Sequence, residues 1–152
     1  MLEVVAGYAH SSLGAARVAA LRPSCDLDVV RAEHARVEAM RTLVTSEGGW
    51  ASEPIPDLTA ALPRLRIPGA TLDGVALCGA GRLLGSARRT RDALYGDRVS
   101  PMTRALLVRY ADVMVRDAEL ERRLEKSLDE DGMVRDDASP TLRRVRREMG
   151  GA

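Results

Sequence analysis

The sequence has no phenylalanine, one tryptophan, one lysine, two histidines and two cysteines in 152 residues. Aromatic residues make up 3% of the chain, so stacking platforms for bases or sugars are scarce and the core must be aliphatic. Cys25 and Cys78 are too few and too far apart for a disulfide scaffold, and the reading is two reduced, partly buried thiols. No apolar run is long enough to span a bilayer. No basic segment leads into an apolar stretch with a small-residue cleavage site, so no secretory leader is read and the expected location is cytoplasmic. The net charge of +1 gives no general attraction to nucleic acid or to an anionic membrane.

Hydrophobic residues nevertheless make up 45% and charged residues 30%, the balance of one ordinary domain. With Leu, Val, Ala and Met as its only plentiful apolar types, the chain favours helices. Leu2 to Ala9 is a short apolar opening. Ser11 or Ser12 caps a second helix running to about Leu21, and Pro23 stops it. Asp26 caps a third helix to about Val44, with the apolar stripe Leu27, Val30, Val37, Met40 and Val44, and with His34 on the same packed face. Gly48 and Gly49 end it. Pro54, Pro56, Pro63 and Pro68 keep Trp50 to Gly69 irregular, apart from a turn or two begun by Asp57 and ending near Leu65.

Thr71 or Asp73 opens a long fourth helix to Tyr95, with Val75, Leu77, Ala80, Leu83, Leu84, Ala87 and Leu94 on its buried side. Ser100-Pro101 starts a fifth helix carrying Leu106, Leu107, Tyr110 and Met114. Asp117 caps a sixth with Leu120 and Leu124. Asp131-Gly132 makes a small β-hairpin of residues 127–135. Ser139-Pro140 starts a last helix with Leu142, Val145 and Met149. The fold class expected is mainly α: an irregular multi-helix domain with one small hairpin. The first helix has no lead-in and the last is barely three turns, so the sequence reads as a piece of something longer.

The residues that carry chemistry are missing from their motifs. A phosphate-binding loop needs two glycines before Lys-Ser, because backbone amides cradle the phosphates. Lys126-Ser127 is preceded instead by Leu120 and Glu125 at the glycine positions. Gly79, Gly81 and Gly85 are spaced one residue too long for a dinucleotide loop and lie in a helical pattern, where small residues allow close packing. His10 and His34 stand at no metal-ligand spacing from the cysteines. Ser11 and Ser12 beside His10 are explained by capping. The acidic run Asp129-Glu130-Asp131 lacks the pattern of a calcium loop. No catalytic, cofactor-binding or metal-ligating residue is therefore expected.

Four arginines, Arg143, Arg144, Arg146 and Arg147, crowd the last helix and are the candidates for nucleic-acid phosphate contact. Glu148, Asp136 and Asp137 reduce their field, which favours a solvated helix face instead.

Several segments together resemble the MutS-two family of MutS-type DNA-processing ATPases. Ala9-His10-Ser11-Ser12-Leu13-Gly14, after an apolar helix, is similar to the family's opening. Ala20-Leu21-Arg22-Pro23-Ser24, Asp26-Leu27 and Ile55-Pro56-Asp57-Leu58 follow in the family's order. Gly132-Met133-Val134-Arg135-Asp136-Asp137-Ala138-Ser139-Pro140-Thr141-Leu142 resembles a stretch that leads into the family's lever arm. The resemblance implies residues 1–138 as the first part of a helical core and 139–152 as the truncated start of the lever helix. It departs from the family in lacking the usual lead-in before Leu2 and the charged helix expected after Glu148.

The resemblance also implies a homodimeric parent whose remaining domains hold ATP and Mg²⁺ and commonly a nuclease. Such proteins act on branched or recombining DNA, and some act on ribosomes; no membrane is involved. In these residues it implies a non-catalytic structural piece. A free-standing helical module that binds protein partners is the alternative, and a small helical enzyme is disfavoured by the missing nucleophile–base sets.

Overall fold

The computed structural model describes residues 1–46, 50–51 and 54–150. It is mainly helical. The helices are α1 (Leu2–Ala6), α2 (Ser12–Ala19), α3 (Leu27–Thr45), α4 (Gly74–Tyr95), α5 (Pro101–Asp112), α6 (Ala118–Ser127) and α7 (Pro140–Gly150), with a 3₁₀ segment at Leu62–Arg66.

Side-chain caps set most of the helix starts. An orphan amide in a first turn needs an acceptor, and a short polar side chain supplies one. The Ser11 hydroxyl accepts from the Gly14 amide at 3.0 Å, and Asp26 accepts from Asp28 and Val29 at 2.9 and 3.2 Å. Asp73, rather than Thr71, caps α4 by accepting from Ala76 at 2.8 Å. Ser100, Asp117 and Ser139 do the same for α5, α6 and α7. The opening helix is shorter than expected, ending at Ala6 rather than Ala9. The helix stop assigned to Gly48 and Gly49 lies outside the described residues, and α3 ends at Thr45.

The chain divides into two compact units. The first comprises Met1–Ile55 and Ser86–Arg116, the second Pro56–Gly85 and Asp117–Ala152. In the first, α3 packs on α5 around Ala39, Leu43, Leu94, Val99, Leu107 and Ala111. Ala111 is 0% exposed. Of the expected stripe on α3, Met40 packs against this core and Val30 is half-buried, while Leu27, Val37 and Val44 are 64%, 67% and 51% exposed and His34 lies in solvent. The alanine face of α3 docks, because side chains without bulk let two helices approach closely. Arg104 ties the turn before α5 by donating to the Gly96 carbonyl at 2.8 Å.

The second unit is built on close backbone approaches. A side chain at Gly79 would begin 3.1 Å from Leu58, and one at Gly81 would begin 3.5 Å from Leu124. Gly79 thus acts as the packing residue its helical setting implied, while a side chain at Gly81 would make only ordinary van der Waals contact. Val75, expected inside, is 71% exposed.

The expected hairpin is smaller than read. Among the described residues no strand forms, and a single antiparallel bridge joins Leu128 to Val134. Asp129 closes the turn by accepting from the Asp131 and Met133 amides at 3.1 and 2.8 Å, and Gly132 takes a φ of +82°. α6 ends at Ser127 and a further turn follows Arg135, so there is no length for a ladder.

Candidate nucleic-acid interface

α7 begins where Ser139 accepts from the Leu142 amide at 3.1 Å and Pro140 occupies the first turn. Its sequence places arginines at 143, 144, 146 and 147, steps of three and four that put Arg143, Arg146 and Arg147 on one side. Those three, with Asp136 and Gly150, line a shallow concavity of about 420 Å³. Arg144 is not part of that lining. The structure therefore brings three of the four candidate arginines together.

Most of these guanidinium groups already face a carboxylate. Arg146 pairs with Asp136 and also donates to the Val134 carbonyl at 3.2 Å. Arg143 lies 4.0 Å from Asp137, and Arg144 lies 3.8 Å from Glu148. Arg147 has no ion pair among the described residues. All three pairs are solvent-exposed, where screening keeps each attraction small. α7 buries no residue, and Met149 is exposed beside the arginines.

The other singled-out residues do not converge. His10 is exposed, like His34. Cys25 is exposed, against the expectation of partial burial, while Cys78 is half-buried and its thiol donates to the Asp129 carbonyl at 3.2 Å. Lys126 and Ser127 end α6. No helix among the described residues is long and apolar enough to cross a membrane.

Sequence reasoning missed an apolar groove of about 450 Å³ in the first unit. Its walls include Met40, Leu43, Trp50, Leu107 and Met114. Trp50 is fixed there by donating its indole N–H to the Thr90 hydroxyl at 3.0 Å. A lone tryptophan just after a helix was the available signal, since a large aromatic side chain seldom stays outside a packed surface. Farther along, the Tyr95 hydroxyl donates to Asp112 at 2.6 Å. That hydrogen bond, aided by partial burial, holds the phenol above its ordinary value. On α3, the hydrogen bonds from Arg41 hold the Glu38 carboxyl below the usual range.

Compared with known proteins, the chain matches no family model and no solved structure. Curated relatives do match it. The protein called Endonuclease MutS2 from Gemmatimonas aurantiaca is 49% identical over 149 residues, which is 98% of this chain and 18% of that protein. Those from Pelotomaculum thermopropionicum and Geobacillus kaustophilus are 31% and 30% identical, over 100% and 97% of this chain and 19% of each relative. The chain thus spans less than a fifth of the length of the relatives it matches. With near-complete coverage at this identity, the chain belongs to the MutS-two family and corresponds to its N-terminal region.

Proposed function

We propose that this chain is the non-catalytic structural N-terminal region of a MutS-two-type DNA-processing protein. The single observation that carries the reading is the match along 98% of the chain to under a fifth of proteins named as endonucleases. In this reading residues 1–138 belong to the helical core, and 139–152 open a lever that transmits movement to DNA-holding arms. ATP, Mg²⁺ and phosphodiester cleavage belong to the rest of such a protein, as do dimer formation and any ribosome contact. The arginine face of α7 is the part of this chain that touches a nucleic-acid backbone. The test is direct: the purified chain is assayed with Mg-ATP and with supercoiled plasmid. No hydrolysis, no heat of nucleotide binding and no nicking are expected. Turnover or saturable micromolar binding of nucleotide overturns the reading.

The groove around Trp50 favours a second reading, a helical module that holds a protein partner by an apolar surface. Acrylamide quenching of Trp50 separates the two. In the scaffold reading the Trp50 indole is shielded when this chain is joined to the remaining domains of a relative, other tryptophans being replaced, and is open in the chain alone. Equal quenching in both supports the module.

A further inference from the structure

Within that reading of α7, which this inference rests on, we propose that Asp136 and Asp137 are placeholders for nucleic-acid phosphates. They occupy the guanidinium groups of Arg146 and Arg143 until a duplex backbone displaces them.

Three observations support the exchange. First, the pairs are shaped for release. The side chain of Asp136 is 86% exposed and that of Asp137 is 65% exposed. An exposed carboxylate contributes little binding energy to its arginine, so a row of backbone phosphates, each a monoanion like the carboxylate it replaces, competes well by engaging several arginines at once. Second, Arg143, Arg146 and Arg147 already line one concavity, and Arg147 has no ion pair among the described residues. An incoming phosphate meets an open arginine first and two paired ones beside it. Third, the carboxylates sit before the helix while the arginines sit on it. Ser139 holds the start of α7 independently, so losing either ion pair leaves the helix capped.

The ligand is a sugar–phosphate backbone, not bases. α7 carries no aromatic residue for stacking, and guanidinium groups recognise phosphate geometry without reading sequence. The carboxylates then set a threshold. They keep this arginine face quiet towards isolated anions and let it respond to a duplex, where adjacent phosphates engage several arginines together.

The experiment is fluorescence anisotropy of a labelled random-sequence duplex DNA, titrated with the chain over a range of salt concentrations. Asp136→Asn with Asp137→Asn is compared with the wild type. A charge-matched control carries Asp28→Asn and Asp97→Asn, both exposed and distant in sequence. The placeholder variant is expected to bind roughly three- to thirtyfold more tightly than the control, the range set by two surface ion pairs. Its log–log salt slope should match the wild type's within about one, because the same guanidinium groups meet phosphates in both complexes at about 0.9 per contact.

Binding no tighter than the charge-matched control overturns the proposal. Asp137→Asn alone, which leaves the Asp136–Arg146–Val134 linkage in place, serves if the double variant loses helicity by circular dichroism. A smaller tightening then supports the proposal, and none refutes it. Arg143→Gln with Arg146→Gln and Arg147→Gln isolates the underlying reading. Wild-type binding that survives this change places the nucleic-acid contact elsewhere. Binding that is lost, with no gain in the aspartate variants, removes the placeholder role alone.

Discussion

Gly74 and Gly132 meet backbone to backbone: a Cβ on Gly74 would stand 1.8 Å from the carbonyl oxygen of Gly132. In the other direction, a Cβ on Gly132 would stand 2.6 Å from the Gly74 carbonyl carbon. The first residue of α4 is thereby pressed onto the turn after α6. Neither position has room for a side chain, and neither neighbour is a flexible group that could swing aside.

Gly74→Ala is expected to destabilise the chain by about 3 kcal/mol, above the gain that Ala normally brings to a helix. Gly132→Ala adds the strain of a positive φ and should cost at least as much. Gly69 offers the contrast, because its φ is +79° with nothing within 4 Å. Gly69→Ala should cost about 1–2 kcal/mol, from backbone strain alone. Urea denaturation followed by circular dichroism checks all three. A Gly74→Ala protein as stable as the wild type contradicts the contact.

Leu43→Ala is expected to cost about 2–5 kcal/mol, since it opens a cavity in the α3–α5 core. Val37→Ala should change stability by no more than about 0.5 kcal/mol, because most of Val37 already faces water. Thermal melts of the pair test which face of α3 is inside. Equal losses would restore the stripe containing Val37.

Tyr95 gives a pH dependence of defined sign. Its phenol is held above the ordinary value of 10.0, first by the hydrogen bond to Asp112. The folded state then retains the proton longer than the unfolded chain does. The stabilisation is complete below about pH 10 and is lost as pH rises through the raised value. Tyr95→Phe should remove that part of the alkaline fall in the urea midpoint. It should also remove the latest phase of the ultraviolet tyrosinate titration. A titration whose latest phase persists in Tyr95→Phe refutes the assignment.

Asp26→Ala should lower stability by about 1 kcal/mol, because two first-turn amides of α3 lose their acceptor. Ser139→Ala should speed amide exchange in α7 while changing the global midpoint much less, since α7 buries no residue. In the wild type, exchange should be slow through α4 and fast from about Arg146 onward. Hydrogen-exchange mass spectrometry reads both expectations.

The helices were legible because their starts are chemical. Ser, Asp and Pro at fixed offsets specify where an amide is satisfied, whatever else the chain does, and Asp26, Ser100-Pro101, Asp117 and Ser139-Pro140 all act where they were read. The buried faces were less legible. On α3, periodicity favoured Leu27, Val30, Val37, Met40 and Val44; Met40 does pack against the core, but the residues buried there are Ala39 and Leu43. Which face meets a partner depends on how closely that partner approaches, and one helix cannot report this. The Asp131-Gly132 turn was visible, but Gly74 beneath it was not, because their contact joins residues far apart in sequence. The four arginines of α7 stand out in the sequence itself. Their pairing with Asp136, Asp137 and Glu148 was foreshadowed only as a weakened field.

Where α3 meets α5, the most enclosed positions include two alanines, Ala39 and Ala111. The side chains that govern this helix pair are therefore among the smallest it has. Substitution there is asymmetric: a change to Gly costs helix propensity, while a change to Val or Leu forces the helices apart. Long apolar residues on the outer face of α3, by contrast, are free to drift to polar ones. In a set of diverged sequences of this region, invariance should collect at alanine and glycine, and the large aliphatic residues of the outer face should vary.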